Sequence, residues 1–209
     1  AAYYTSGSRP NQTQHSWAYA RLAAVIMGGV KARKVDETIW GMYKVTGKDQ
    51  YEELVKLFRP NLSPRRIFTL GSFGGTYWRP ICSKVTGKCY ENEHKKFPAK
   101  WFKDISDSKL TQSWELYDKN VNKYGVKVGT TLELWEEKKW IKESHPYGWV
   151  QWYCDWKMGK RSPDDVRQIK RWLALAGPNG RFRRRLINMI KSKGGKKYIN
   201  NTSISPSIR

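Results

Sequence analysis

Histidine and cysteine are scarce in this chain, three of each in 209 residues, and acidic residues are few, 18 against 40 lysines and arginines. Cys82, Cys89 and Cys154 are too few, and odd in number, for the disulfide framework of a secreted domain. A reducing, intracellular setting with buried free thiols is therefore expected, with room for one disulfide at most. Three histidines leave a thin supply of general bases, and no Ser/His/Asp order or Cys/His pairing stands out. Cys82, Cys89 and His94 follow a Cys-x6-Cys-x4-His spacing outside the standard zinc frames, and His145 and Cys154 lie far along the chain. No metal and no cofactor is expected. Long apolar runs are also missing. The longest, residues 22–30 (LAAVIMGGV), is about half of the roughly 20 residues that a spanning helix needs, so no membrane span is expected.

Present in quantity are aromatics and positive charge. Eleven Trp, 12 Tyr and 6 Phe are spread over the whole length, and 39% hydrophobic residues suffice for a core. The formal charge of +22 brings self-repulsion to an isolated globule and calls for a polyanionic partner.

Four segments follow from the local patterns. Residues 1–60 form an N-terminal arm and helices: a polar stretch at 5–14, a helical candidate at 17–26 expected to be buried, with 17–34 also readable as a leftover presequence or an amphipathic surface helix, and a helix over 48–58. In that helix Tyr51, Leu54, Val55 and Phe58 recur at i, i+3, i+4 and i+7. Residues 61–66 read as a loop. Residues 61–145 are a mixed, aromatic-rich body in which 67–70 and 76–81 read as strands of a short β-meander, with a turn at 86–88. The intervening glycines, 71–75 (GSFGG), lack the Gly-Lys-Ser/Thr ending of a phosphate loop and are expected to make a bend or bulge. TTLE at 130–133 has the form of a capping box.

Residues 146–195 form a basic helical region. Trp149, Trp152, Tyr153 and Trp156 at i, i+3, i+4 and i+7 predict a helix that buries an aromatic face, so these rings are expected in the core rather than stacked on bases. Ser162-Pro163-Asp164-Asp165 is a helix start, with the acids where the helix dipole favours them. Val166, Ile169, Leu173 and Ala176 are expected to face inward. The turn 177–180 (GPNG) leads to a second helix over 181–193, with Phe182, Leu186, Met189 and Ile190 inward and Gly194-Gly195 at its end. Residues 196–209 read as a polar tail. The fold class is therefore α+β, a meander and helices in the body with a C-terminal pair of basic helices.

The charge is local. Residues 157–209 hold 15 Lys and Arg against 2 acids, a net of +13 in a quarter of the chain. The candidate polyanion-binding residues are Arg161, Arg167, Lys170, Arg171, Arg181, Arg183, Arg184, Arg185, Lys191, Lys193, Lys196 and Lys197. Arginine's planar fork suits bidentate phosphate contact. Asp155, Asp164 and Asp165 are the carboxylates from which a nuclease metal site would have to be built, although the first turn of a helix already accounts for Asp164 and Asp165.

Three segments taken together, GSFGGTYWRPI at 71–81, PYGWVQWYC at 146–154, and DDVRQIKRWL at 164–173 with AGPNGRFR at 176–183, resemble a Trp-rich family of large DNA viruses of algae and protists, with algal and fungal relatives. The likeness covers about residues 67–190. It implies a virion or viral-genome setting and carries no catalytic residue onto this chain.

The expected function is that of a non-enzymatic basic structural protein, a virion or minor capsid component of a large DNA virus, packed among other proteins and contacting nucleic acid or an acidic partner surface. An RNA-binding component of a ribonucleoprotein such as an organellar ribosome is the first alternative. A DNA-binding module with helix 181–193 in the major groove, or a metal-dependent nuclease, is the second. The expected location is intracellular or in the virion, with an organelle allowed and classical secretion not.

Overall fold

The computed structural model describes residues 47–208. The chain divides into two units, Ala1–Glu52 and Glu53–Arg209, and of the first only 47–52 are described. The arm at 5–14 and the helix at 17–26 lie outside the described residues.

Helix α1 spans Gly47–Leu57, as its apolar spacing predicts. Leu54, Val55 and Phe58 turn into a core cluster with Trp152, Tyr153 and Ile169. Phe58 sits amid five rings, those of Trp149, Trp152, Tyr153, Trp156 and Trp172, at centroid distances of 5.2 to 6.4 Å. Edge-to-face geometry prevails there, which aromatic quadrupoles favour.

Helix α2, Pro64–Thr69, corrects the reading of 61–66 as a loop and 67–70 as a strand. Ser63 accepts a hydrogen bond from the Arg66 amide and Pro64 stands at the first helical position. This start device outweighs the β preference of Ile67, Phe68 and Thr69. The meander shrinks to one antiparallel hairpin, β1 Ile81–Ser83 and β2 Lys88–Tyr90. Its register sets Cys82 opposite Cys89, and the two are joined as a disulfide. The expectation of free thiols is thereby corrected for this pair, because the 86–88 turn brings the two cysteines face to face. Cys154 remains a buried free thiol.

The glycine cluster is also corrected. It is not a bend in a sheet but a crossing of two segments of chain. Gly74 N–H donates to Asn122 Oδ1 at 2.8 Å, Asp118 N–H to the Gly74 carbonyl at 3.2 Å, and Gln112 N–H to the Gly75 carbonyl at 3.1 Å. Residues 91–131 carry only short 3-10 turns, and such crossings satisfy their backbone groups. Helix α3, Leu132–Glu137, begins one residue later than TTLE predicts, with Thr131 as the cap.

Helix α4, Trp149–Lys157, is the spine of the unit. Trp152 and Tyr153 belong to the cluster around Phe58, while Cys154 packs with Phe68, Tyr77, Trp78, Ile81 and Tyr147 in a second cluster. The helix thus buries two sides rather than the single aromatic face that its spacing predicts. Its start is capped from a distance. The Tyr77 hydroxyl accepts from the Gln151 amide at 2.8 Å and donates to the Tyr147 carbonyl at 2.7 Å. One phenol therefore satisfies a helix-terminal N–H that lacks an intrahelical partner.

Helix α5 is Asp165–Ala176 and helix α6 is Arg181–Ser192, packed on each other across the GPNG turn. The C-terminal helical pair of the α+β fold is present as predicted. Its inner face is so only in part: Ile169 is buried and Leu173 packs against the core as predicted, but α5 also buries Asp165 and Gln168, whereas Val166 and Ala176 are exposed, and Phe182 on α6 is exposed as well. A stripe at 165, 168, 169 and 172 turns the helix by part of a residue step from the purely apolar choice. The polar tail has structure of its own. Residues Gly195–Tyr198 form a 3-10 turn, Ile204 is buried, and the Ser205 hydroxyl approaches Met189 Sδ at 2.9 Å.

Burial raises the pKa values of several acids of this core. Tyr77 and Tyr147 lie well above their ordinary value near 10, Tyr153 is pushed up to about 12, and the Cys154 thiol is also raised. Desolvation is the leading cause in each case, since burial disfavours the charged form. Groups with raised folded-state pKa values contribute a stability that is complete below the unfolded values and is lost as pH climbs towards the folded ones. The melting temperature is therefore expected to be level up to about pH 9 and to fall steadily above it. Part of the tyrosinate absorbance should appear only with unfolding. Full tyrosine ionisation in a still-folded protein at pH 11 or so would contradict this.

Candidate nucleic-acid interface

After Asp165 the chain contains no further Asp or Glu. The basic residues that follow stand on α5, α6 and the 195–198 turn, and the structure sorts the predicted set into two groups. Lys170, Arg181, Arg183, Arg184, Arg185, Lys191, Lys193, Lys196 and Lys197 are exposed. Among the described residues none of them pairs with a carboxylate. Arg181, Arg184 and Lys191 recur at helical spacing on the side of α6 away from Leu186 and Ile190, and Arg185 stands at the edge of that side, one turn from Met189. Arg181 lies over the Phe182 ring and Lys197 over Tyr198.

The other predicted residues are tied into the protein. Arg167 grips Asp164 with both arms of its fork, Nη2 to Oδ2 at 2.6 Å, and also donates to the Trp140 carbonyl. Arg161 stacks on Trp156 at 3.7 Å and donates to the carbonyls of Trp156 and Lys160. Arg171 is half-buried with its guanidinium 4.9 Å from the Trp140 ring centre. Burial, and then the neighbouring Arg167 charge, hold its pKa below the ordinary value.

The three carboxylates of the nuclease alternative are each engaged by other partners. Asp164 holds Arg167 and Gln168. Asp165, 2% exposed, accepts from the Ser162 amide and hydroxyl and from Trp152 Nε1 at 2.8 Å. Asp155 faces Lys160 at 2.6 Å and His145 Nε2 at 3.5 Å. Burial pushes the Asp155 pKa up, but hydrogen bonds from His145 and Lys160 together with their charge outweigh it and leave the value lowered. Asp155, Asp165, His145 and Lys160 line a cavity of about 200 Å³. Among the described residues no group of three or more His, Cys, Asp or Glu is placed to hold a metal ion, and no helix is long and apolar enough to cross a membrane.

No family model, curated protein or solved structure matches this chain. The resemblance to a Trp-rich viral family therefore stays an expectation drawn from the motifs alone.

One feature escapes any reading of the linear chain. A cleft of about 280 Å³ is lined by Phe73, Trp135, Trp140, Tyr147, Trp149 and Arg171, with Thr130 and glycines 129 and 148 beside them. Its walls come from several separate segments, so no local spacing signals it. Trp140, which lies outside every predicted helix, is a hint in the sequence that some rings serve outside a core.

Proposed function

We propose that the protein is a non-enzymatic structural component of a large nucleic-acid-containing assembly, and that the surface formed by α5, α6 and the 195–198 turn binds the phosphate backbone. The acid-free run of exposed cations after Asp165 carries this reading. Charges of one sign at this density repel one another unless a polyanion neutralises them. Exposed arginines at helical spacing offer forks to successive phosphates. The motifs shared with the viral family favour the virion of a large DNA virus as the assembly. A ribonucleoprotein is the second reading, favoured by the ring-lined cleft that borders the basic surface at Arg171.

Binding to nucleic acid is expected to weaken about a thousandfold between about 50 and 200 mM salt if some six phosphates are contacted. Replacing Arg181, Arg184 and Arg185 together by Ala should lower the slope of log affinity against log salt by about 2 to 3. These side chains are exposed, so the melting temperature should hardly move. Affinity without salt dependence, or a slope unchanged in the triple variant, would rule the surface out.

A further inference from the structure

Arg171 joins two features of the molecule: the basic outer side of α5, where Lys170 is exposed, and the aromatic cleft between α3 and α4. We infer that this cleft is a binding site for an unpaired base of a single-stranded nucleic acid, whose phosphates run onto the α5–α6 surface. The inference rests on the phosphate-binding reading above and names the kind of nucleic acid that surface takes.

The cleft suits a planar ligand. Its walls are indole, phenol and phenyl rings, and its volume of about 280 Å³ falls just under the roughly 300–1,000 Å³ of typical small-molecule sites, which suits one base rather than a larger ligand. The side chain best placed to stack is Trp140. It is 40% exposed, and among the described residues its charged neighbour Arg171 takes the place of the ring partners that the core tryptophans have. An indole left in water beside a guanidinium is the arrangement that single-strand binders use, since every base has a π face and every nucleotide a phosphate.

Charge selects the ligand. Among the described residues no carboxylate lines the cleft, so a quaternary ammonium or methylated lysine, the other common guests of aromatic cages, would meet Arg171 without compensation. An anionic, planar guest meets it favourably. On the far side, Arg79 lies over the Trp114 ring at 5.2 Å and lines a small pocket that shares Phe73, Tyr77, Trp135 and Tyr147 with the cleft. Guanidinium groups thus flank the rings on two sides, where the phosphates on either side of an inserted base would pass. The Tyr77 and Tyr147 hydroxyls are committed to backbone carbonyls, which leaves Thr130, among the described lining residues, as the hydroxyl available to a base edge. With so few polar groups the site is expected to prefer single strands over duplex while showing little sequence preference.

The test compares short single strands with the same strands carrying abasic residues, which keep every phosphate and lose the bases. The full-length protein should bind the intact strand about tenfold more tightly than the abasic one, and more tightly than the matching duplex at equal salt. Trp140→Ala should erase the preference for intact strands without changing the salt slope, and Trp140→Phe should retain most of it. A melting curve of each variant checks the fold, and the wild-type comparison decides even where a variant fails to fold. Equal affinity for intact and abasic strands, or a preference that survives Trp140→Ala, would overturn the cleft while leaving the basic surface standing. Absence of salt-dependent binding to any strand would remove the surface and the cleft together.

Discussion

Replacing Gly75 by alanine is expected to abolish cooperative folding of the 53–209 unit, and Gly71→Ala to do the same. Both residues have left-handed backbone angles, φ +87° and +77°. Both also sit where another segment of backbone passes. A Cβ on Gly75 would lie 2.0 Å from the Ser108 carbonyl oxygen, and one on Gly71 would lie 1.9 Å from that of Val121. Neither obstacle is a side chain that can swing aside. To admit a methyl group the 107–122 segment must lift away from 71–78. That movement breaks bonds such as Trp78 N–H to the Leu110 carbonyl at 2.7 Å and Gly74 N–H to Asn122. Each such bond contributes about 1 kcal/mol net, and a non-glycine residue in the left-handed region adds roughly 1–2 kcal/mol. With the rings of Tyr77 and Trp78 also opened to water, the sum reaches about 5 kcal/mol, as large as the whole stability of many domains at 5–15 kcal/mol. Gly87→Ala and Gly125→Ala are the controls. They share positive φ but have nothing within 4 Å of the added Cβ, and should cost only about 1 kcal/mol. Thermal melting of the four variants gives the comparison. A Gly75→Ala protein that melts within a few degrees of the Gly87→Ala protein would refute the account of the crossing.

The second large effect is expected at Trp152. This side chain is 1% exposed and packs against the rings of Phe58, Trp149 and Trp156. Truncation to alanine should destabilise by about 3–5 kcal/mol through lost contact and the cavity left behind. A further contribution comes from Asp165. Its carboxylate is buried at the start of α5 and receives the indole N–H at 2.8 Å, and hydrogen bonds to charged groups are worth about 1.5–3 kcal/mol. Trp152→Phe separates the two effects. It keeps most of the ring packing and removes the donor, so its loss should approach the hydrogen-bond share alone. Denaturant unfolding measures both, and the slope with denaturant should stay unchanged. Equal stabilities of the Ala and Phe variants would show that packing at this position matters little.

Much of this architecture is legible along the chain because it depends on neighbours. The period of Tyr51, Leu54, Val55 and Phe58 marks α1, the Trp149–Trp156 stripe marks α4, and the Ser-Pro-Asp-Asp start marks α5. In each, the signal lies within a few residues of chain, although the start of α4 is capped by the distant Tyr77. Ser63-Pro64 carries the same start signal and is misread because Ile67-Phe-Thr favours a strand, although the cap prevails in the fold. The inner face of α5 is assigned correctly at Ile169 and Leu173 but misses its polar members for a different reason. Gln168 and Asp165 are polar, and no spacing rule puts them inside unless their partners, Asp164, Ser162 and Trp152, are already known to be there.

The scarcity of acids and histidines, the surplus of lysine and arginine and its concentration after Lys157 were determined by the sequence alone. So was the α+β class with a pair of basic helices at its end, because charge is a sum over residues and helices are local. Tertiary structure alone decided that Cys82 and Cys89 are bonded, that the glycines serve a crossing of chains, and that Arg167 is neutralised while Arg184 stands free. It also gathered Trp135, Trp140, Trp149 and Arg171 around one cleft. Contacts of this kind depend on which distant segments meet, and the energy that brings them together is the burial of rings, which carries no direction that a linear pattern could record.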